Sequence, residues 1–339
     1  MVAGFIINCK LYIIKYTFVG QKYNFSYVYL YFCGMEKFEV HILGCGSAKP
    51  TLRHHPSAQL VNLREKLYLI DCGEGTQVQF QRARQSFSRL NHIFLSHLHG
   101  DHIFGLIGLL STLSLSGRTQ PMHIYAHEEL EGLMRPWLDF FCTGIAFDVV
   151  FHPLPKGGTS EKVFEDRSLE VWTIPLRHRV PCCGFLFREK PLLPHIRRDM
   201  IDFLEIPYYE INNIKQGAGW TTSDGDFYPN ERLVTPAAPA RTYAYCSDTA
   251  YLPENADLLR DVDVLYHEAT FGEELAARAV ETCHSTARQA ALLARSAGVK
   301  RLVIGHYSSR YQDERCLLDE ARSEFPNTEL AAEGRCFNV

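Results

Sequence analysis

Apolar residues fall along this chain in short runs with two alternating rhythms, and from Glu36 onward the rhythm is that of a layered α/β domain. Phe38-Glu39-Val40-His41-Ile42-Leu43 alternates as a half-buried strand, and 58–63 and 67–70 read as two more. A helix is expected over 78–84. Asn91-His92-Ile93-Phe94-Leu95 reads as a buried strand, and the run 103–110 as a buried helix. Strands at 122–126, 148–151 and 169–174 follow, with a helix at about 128–141 between the first two. Periodicity weakens over 186–236, where Pro191, Pro194, Pro207, Pro229 and Pro236 interrupt the chain and Gly217-Ala218-Gly219 marks a turn. That segment reads as an inserted arm. Alternation resumes with strands at 242–246, 262–266 and 301–304, a helix from Ser285 or Thr286 to about Arg295, and a last amphipathic helix over about 313–325.

Polar residues with metal-ligand side chains collect at the ends of these strands. Ser96-His97-Leu98-His99-Gly100-Asp101-His102 lies between a buried strand and a buried helix. His97 and His99 share a face of an extended turn, and Asp101 and His102 come after Gly100 has bent the chain toward a second centre. His178, Asp248, His267 and His306 also stand at or just past strand ends, where layered α/β folds gather functional groups. One zinc ion could take His97, His99 and His178, a second Asp101, His102 and His306, with Asp248 bridging them. Each ion would keep an open position for water, which distinguishes a catalytic from a closed structural site. Two such ions suit in-line displacement at phosphorus. Asp71, in Asp71-Cys72-Gly73-Glu74-Gly75-Thr76-Gln77, is either a group that orients a ligand or the N-cap of the next helix. Gly44-Cys45-Gly46-Ser47 is either a phosphate cradle or a plain turn.

Composition narrows the partners. The chain has 339 residues, 46% of them hydrophobic, which is enough for one large domain or two modest ones, and its net charge of −4 leaves nucleic-acid binding to local patches and metal ions. In the arm, Arg188, Lys190, Arg197, Arg198, Lys215 and Arg232 are matched by a comparable set of carboxylates. The eleven cysteines form no C-x-x-C pair, and free thiols in a reducing, cytoplasmic compartment are expected. Residues 1–34 hold no Asp or Glu, carry six tyrosines between Tyr12 and Tyr31, and are broken by Lys10, Lys15 and Lys22, so no membrane span is expected. They read as an upstream extension with the functional start at Met35, and Tyr27–Phe32 as an aggregation-prone strand.

The motifs together resemble the ribonuclease Z family, the short-form tRNA 3′-processing endonucleases of the metallo-β-lactamase superfamily. The resemblance rests on the histidine run at 96–102, Asp71-Cys-Gly-Glu-Gly-Thr-Gln, His178, Ser247-Asp248-Thr249 and Gly305-His306. His267-Glu268-Ala269-Thr270 and His284-Ser285-Thr286 are similar to the motif pair of the tRNA-processing branch. It spans roughly residues 38 to 310. It implies an αββα four-layer sandwich over 35–339, two β-sheets face to face with helices outside, carrying a tRNA-binding arm at about 186–236. It also implies two zinc ions per subunit, precursor tRNA as substrate, a homodimer, and no membrane or nucleotide cofactor. Asp101 would be a ligand and general base, and Glu268 with His284 a relay protonating the leaving 3′ oxygen. Residues alone favour His284 as a helix-capping loop residue, and only the resemblance gives it the relay role. Two departures stand out: Arg53 is followed by His54 where the family commonly has Arg-Asn, and the arm lacks a Gly-Pro turn. The competing readings are another hydrolase of the same fold acting on small diesters, such as a phosphodiesterase or arylsulfatase-like enzyme, and a non-catalytic RNA-binding or metal-storage protein.

Overall fold

A computed structural model describes residues 36–156 and 158–339 in full, and the backbone of the strands Leu11–Gly20 and Tyr23–Phe32. Those two strands pair antiparallel as a hairpin within a unit, Met1–Lys37, separate from Phe38–Val339. The start expected at Met35 lies outside the described residues, as do the side chains of Tyr27–Phe32.

The larger unit contains two seven-stranded mixed sheets. Across the first run Cys336–Asn338, Phe38–Gly44, Ala58–Leu63, Lys66–Ile70, Leu90–Phe94, Met122–Ala126 and Val149–Pro153. Across the second run Thr328–Leu330, Arg301–Gly305, Val264–Glu268, Thr242–Cys246, Cys183–Glu189, Leu169–Pro175 and Lys162–Glu165. In each sheet one half is antiparallel and the other parallel. Alternation along the strands sends side chains to two cores. Val40, Ile42, Tyr68, Ile70 and Phe94 meet Val171, Phe185, Phe187 and Tyr243 between the sheets. Leu60, Leu69 and Ile93 pack outward on the helices Thr76–Arg82, Leu106–Leu115 and Glu129–Phe141. The helices Ala287–Ala297 and Arg315–Glu324 cover the second sheet. These four layers are the αββα sandwich. Because both faces of the central strands are buried, those strands read as nearly unbroken apolar runs.

Three elements differ from expectation in ways that bear on the site. The strand expected at 262–266 runs from Val264 to Glu268, so His267 and Glu268 are inside the sheet, where Cys246 pairs with His267 and Glu268 with Gly305. The helix expected at 103–110 is two pieces, Gly100–Ile103 and Leu106–Leu115, broken at Gly105, where a Cβ would lie 2.0 Å from the Gly73 carbonyl oxygen. The third difference is at the insertion. The strand Cys183–Glu189 occupies its expected start at 186, and the segment outside the sheets lies between this strand and Thr242–Cys246. Leu204, Ile206, Ile214 and Leu233 form a small core of its own.

Candidate metal centre

The parallel strands place their C-terminal ends along one edge of the sandwich, and the loops leaving them converge there. The loop 96–102 leaves Leu90–Phe94, Asp248 follows Thr242–Cys246, and His306 follows Arg301–Gly305; His178 arrives from the antiparallel strand Leu169–Pro175. His306 and Asp71 are left-handed, at φ +61° and +57°. A non-glycine residue holds such a backbone only where its surroundings fix it, and that is common at functional sites.

His97, His99, His178 and Asp248 bring four ligand atoms within 4.8 Å of one another. His97 Nε2 and His178 Nε2 are 3.1 and 3.2 Å from His99 Nδ1, and 3.7 and 3.8 Å from Asp248 Oδ2. Two nitrogens bound tetrahedrally to one zinc ion stand about 3.3 Å apart. Asp101, His102 and His306 form a second group. Its nitrogens His102 Nε2 and His306 Nε2 are 3.4 and 3.1 Å from Asp248 Oδ1, and each is 3.6 Å from Asp101 Oδ2. Asp248 thus turns one oxygen to each group.

Whether these residues suit a cation is answered by their unmet bonds. His102 Nε2, His306 Nε2 and Asp248 Oδ1 are buried without a hydrogen-bond partner, though buried polar atoms are otherwise nearly always paired. At four of the five histidines the opposite ring nitrogen is engaged. His102 Nδ1 donates to Asp71 Oδ2 (2.7 Å), His306 Nδ1 to Thr270 Oγ1 (2.9 Å), His178 Nδ1 to the Cys283 carbonyl (2.9 Å) and His97 Nδ1 to Ser96 Oγ (3.0 Å). Such bonds set the tautomer and leave the other nitrogen's lone pair to a metal. Burial holds the pKa values of His97, His99 and His178 below the ordinary value, which keeps them neutral as ligands must be. At His102 burial pulls the same way, but the Asp248 and Asp71 carboxylates outweigh it and favour positive charge, the sign a metal would bring. The residues fit a metal.

Asp71 organises this arrangement. Its carboxylate accepts from His102, from Ser96 N (2.8 Å) and Oγ (3.0 Å), and from Tyr245 Oη (2.6 Å). The helix after it takes Gly75 as N-cap, so Asp71 orients a ligand. Asp101 Oδ2 accepts from the Ala48 N–H at 2.7 Å. Burial alone would raise the Asp101 carboxyl, but the imidazoles of His306 and His102 hold it well below the usual range.

Glu268 and His284 sit beside the ligands. Glu268 is fully enclosed and accepts from Thr249 N, Thr270 N, Thr270 Oγ1 and His284 Nδ1, the last at 2.8 Å. Burial pulls the His284 pKa down, but Glu268 outweighs it and lifts it to about 9. His284 is therefore a charged donor beside the neutral imidazole of His178, although its ring is also within ligand distance of Asp248 and His306. The next helix is capped by Thr286, whose hydroxyl accepts from Gln289 N, so capping does not occupy His284. His267 stays apart, its Nδ1 on the Glu268 carbonyl.

A cavity of ≈380 Å³ opens over both groups, with His99, Asp101, Asp248 and His284 in its wall. Phe104 also lines it and is 60% exposed, where the sequence reads as buried helix. Tyr245, Thr270 and the Cys283 carbonyl are supports the sequence did not single out. Tyr245 is hidden in an apolar strand, the Cys283 carbonyl is backbone, and Thr270, within the motif His267-Glu268-Ala269-Thr270, carries no sign of its partners in the sequence.

Comparison with known proteins agrees with this geometry. A family described as "Anti-Pycsar protein Apyc1" matches residues 38–148. The chain is 58% identical to the ribonuclease Z of Phocaeicola vulgatus over 299 residues, covering 88% of this chain and 96% of the relative. It is 57% identical to that of Bacteroides fragilis over 305 residues, covering 90% and 100%. The human short-form tRNase Z superposes with a TM-score of 0.64 at 26% identity, covering 88% of this chain and 98% of that one. The metallo-β-lactamase fold protein YhfI from Bacillus subtilis superposes at 0.62 with 17% identity, a likeness of fold. More than half identical to these relatives over nearly their full length, the chain belongs to the ribonuclease Z family.

Proposed function

We propose that this endoribonuclease removes 3′ trailers from precursor tRNA with a dinuclear zinc centre. His97, His99 and His178 would hold one ion, Asp101, His102 and His306 the other, and Asp248 both. The convergence of the orphaned atoms His102 Nε2, His306 Nε2 and Asp248 Oδ1 carries this reading. When bound, the metals supply Lewis acidity toward a phosphodiester and a water that is acidic near neutral pH.

The side chains account for the remaining chemistry. Asp101, kept ionised and aimed by Ala48 N–H, takes the proton of the attacking water as the new O–P bond forms. His284, held charged by Glu268, gives a proton to the departing 3′ oxygen as the P–O3′ bond breaks, which leaves a 3′-hydroxyl on the tRNA. Phe104 offers an exposed ring in the cavity wall on which a base can stack. The relatives' names support RNA over a small diester, and the fold alone does not separate the two.

Three further readings belong with this one. The segment between Glu189 and Thr242, with its own core, is the arm that grips tRNA. A second copy of the chain covers the apolar stripe Leu133, Trp137, Phe140 and Phe141, all exposed on one helix, to form a homodimer. The location is cytoplasmic, supported by the free cysteines; among the described residues no helix is long and apolar enough to cross a membrane.

Metal analysis tests the centre. Purified protein should hold two zinc ions per chain, and His306→Ala about one, with cleavage lost. Wild-type protein that cleaves while holding one ion, or none, overturns the dinuclear reading.

A further inference from the structure

The loop between the strands Phe38–Gly44 and Ala58–Leu63 bears on the reaction through a residue that touches neither ligand nor cavity. His54 lies between two carboxylates from the C-terminal part of the chain, with Nδ1 3.0 Å from Glu333 Oε2 and Nε2 3.2 Å from Glu314 Oε1. An imidazole that donates from both nitrogens is charged. The hydrogen bond to Glu333 raises the His54 pKa against the pull of burial. The other groups facing the ring are the Cys45 thiol, 3.4 Å from Nδ1 and kept neutral by burial, and Tyr307. Arg53 joins the clamp through both oxygens of Glu314 and the Tyr311 carbonyl.

The clamp is continuous with the site. Glu333 Oε1 accepts from His55 N (2.8 Å), Gly46 N donates to the His55 carbonyl, and Ser47 N donates to the carbonyl of Tyr307, next to His306. Ala48 follows, left-handed at φ +63°, and donates to Asp101 Oδ2. Ser47, Ala48, Pro50 and Pro56 of the same loop form part of the cavity wall. A strained Ala48 keeps its aim only while the loop is fixed on both sides.

We propose that His54 is a positioning residue: by bridging Glu314 and Glu333 it fixes the loop 47–56, and through Ala48 N–H it fixes the orientation of Asp101. An asparagine in place of His54 could reach only one of the two carboxylates and would carry no charge. The proposal rests on the role assigned to Asp101 above.

The test compares wild type with His54→Asn, Glu333→Gln and the double variant, in the holoenzyme, on precursor tRNA and on bis(p-nitrophenyl) phosphate. The small diester reads Asp101 even where tRNA recognition has been misassigned. Each single variant should keep its metal content and lower kcat about 10- to 100-fold, the usual effect of removing a group that orients a ligand, with a smaller change in KM on the diester. The double variant should lose little more than either single one, as partners in one contact do. The ratio of wild-type to His54→Asn kcat should also shrink as pH rises, because deprotonation of His54 opens the clamp in the wild type. Unchanged kcat in both single variants, additive losses, or a ratio constant with pH would overturn the proposal. If His54→Asn does not fold, Glu333→Gln alone decides it.

Discussion

Replacing Asp71 by asparagine should remove one metal position and leave its neighbour intact. The asparagine Oδ1 can still accept from Ser96 N–H, but Nδ2 then stands where Oδ2 accepts from Ser96 Oγ, Tyr245 Oη and His102 Nδ1. The two hydroxyls can rotate and accept instead. The His102 Nδ1–H cannot, so the ring must move its proton to Nε2, the atom that faces Asp248 and Asp101. A protonated Nε2 is not a ligand. The group of Asp101, His102 and His306 thereby loses a nitrogen, whereas His97, His99 and His178 are untouched apart from the Ser96 hydroxyl. Loss of an orienting partner typically weakens metal binding about 10- to 100-fold, or roughly 1.4–2.7 kcal/mol. The mismatched buried hydrogen bonds cost stability about 1–3 kcal/mol. Equilibrium dialysis against buffered free zinc, with metal analysis and calorimetry on the same sample, measures both. The expected result is a folded protein with one affinity near wild type and one weakened. Two wild-type affinities would refute the reasoning, as would equal weakening of both in a folded protein.

Other expectations follow from the same geometry. His284→Ala should keep both metals and lose about 10²-fold or more in kcat, measured by single-turnover cleavage, because a general acid contributes on that scale. Since Glu268 lifts the His284 pKa to about 9, the acid is present below that value, and kcat should fall as pH rises through it. In Glu268→Gln the same limb should move to lower pH, because burial is then opposed only by the weaker pull of the Asp248 carboxylate. Phe104→Ala should raise KM for precursor tRNA several-fold, with little change on a small diester, read from initial rates. A chain begun at Met35 should retain activity and melting temperature, because every group placed at the site belongs to the unit Phe38–Val339.

What could be read beforehand follows from how each feature is encoded. Most strands of the two sheets carry apolar runs set by burial on both faces, and the ligands follow them as polar residues at strand ends, so both are local signals. Sequence pattern sets the strand Val264–Glu268 two residues early because its last two residues are a histidine and a glutamate. They are tolerated in the sheet only because the Glu268 carboxylate has four donors, from Thr249, Thr270 and His284, none of which is visible in the strand itself. The last four residues of Cys183–Glu189 fall inside the arm expected at 186–236, because proline-rich sequence follows them. Asp71 was ambiguous from sequence, since an aspartate before a helix also suits a cap; Tyr245, a strand and a sheet away, decides it. Likewise His54 meets Glu314 and Glu333 across some 260 residues or more of sequence, a pairing that only the closed sandwich creates.

The assignment on which the chemistry depends is precursor tRNA as the substrate of this metal centre. Its most direct test is incubation of the purified protein with a precursor tRNA bearing a 3′ trailer, with the product ends mapped and bis(p-nitrophenyl) phosphate turned over in parallel. The expected result is a single cut after or near the discriminator base that leaves a 3′-hydroxyl, abolished by chelator and restored by zinc. An intact precursor beside brisk diester hydrolysis would contradict it and assign the same ligands to a small-molecule phosphodiesterase.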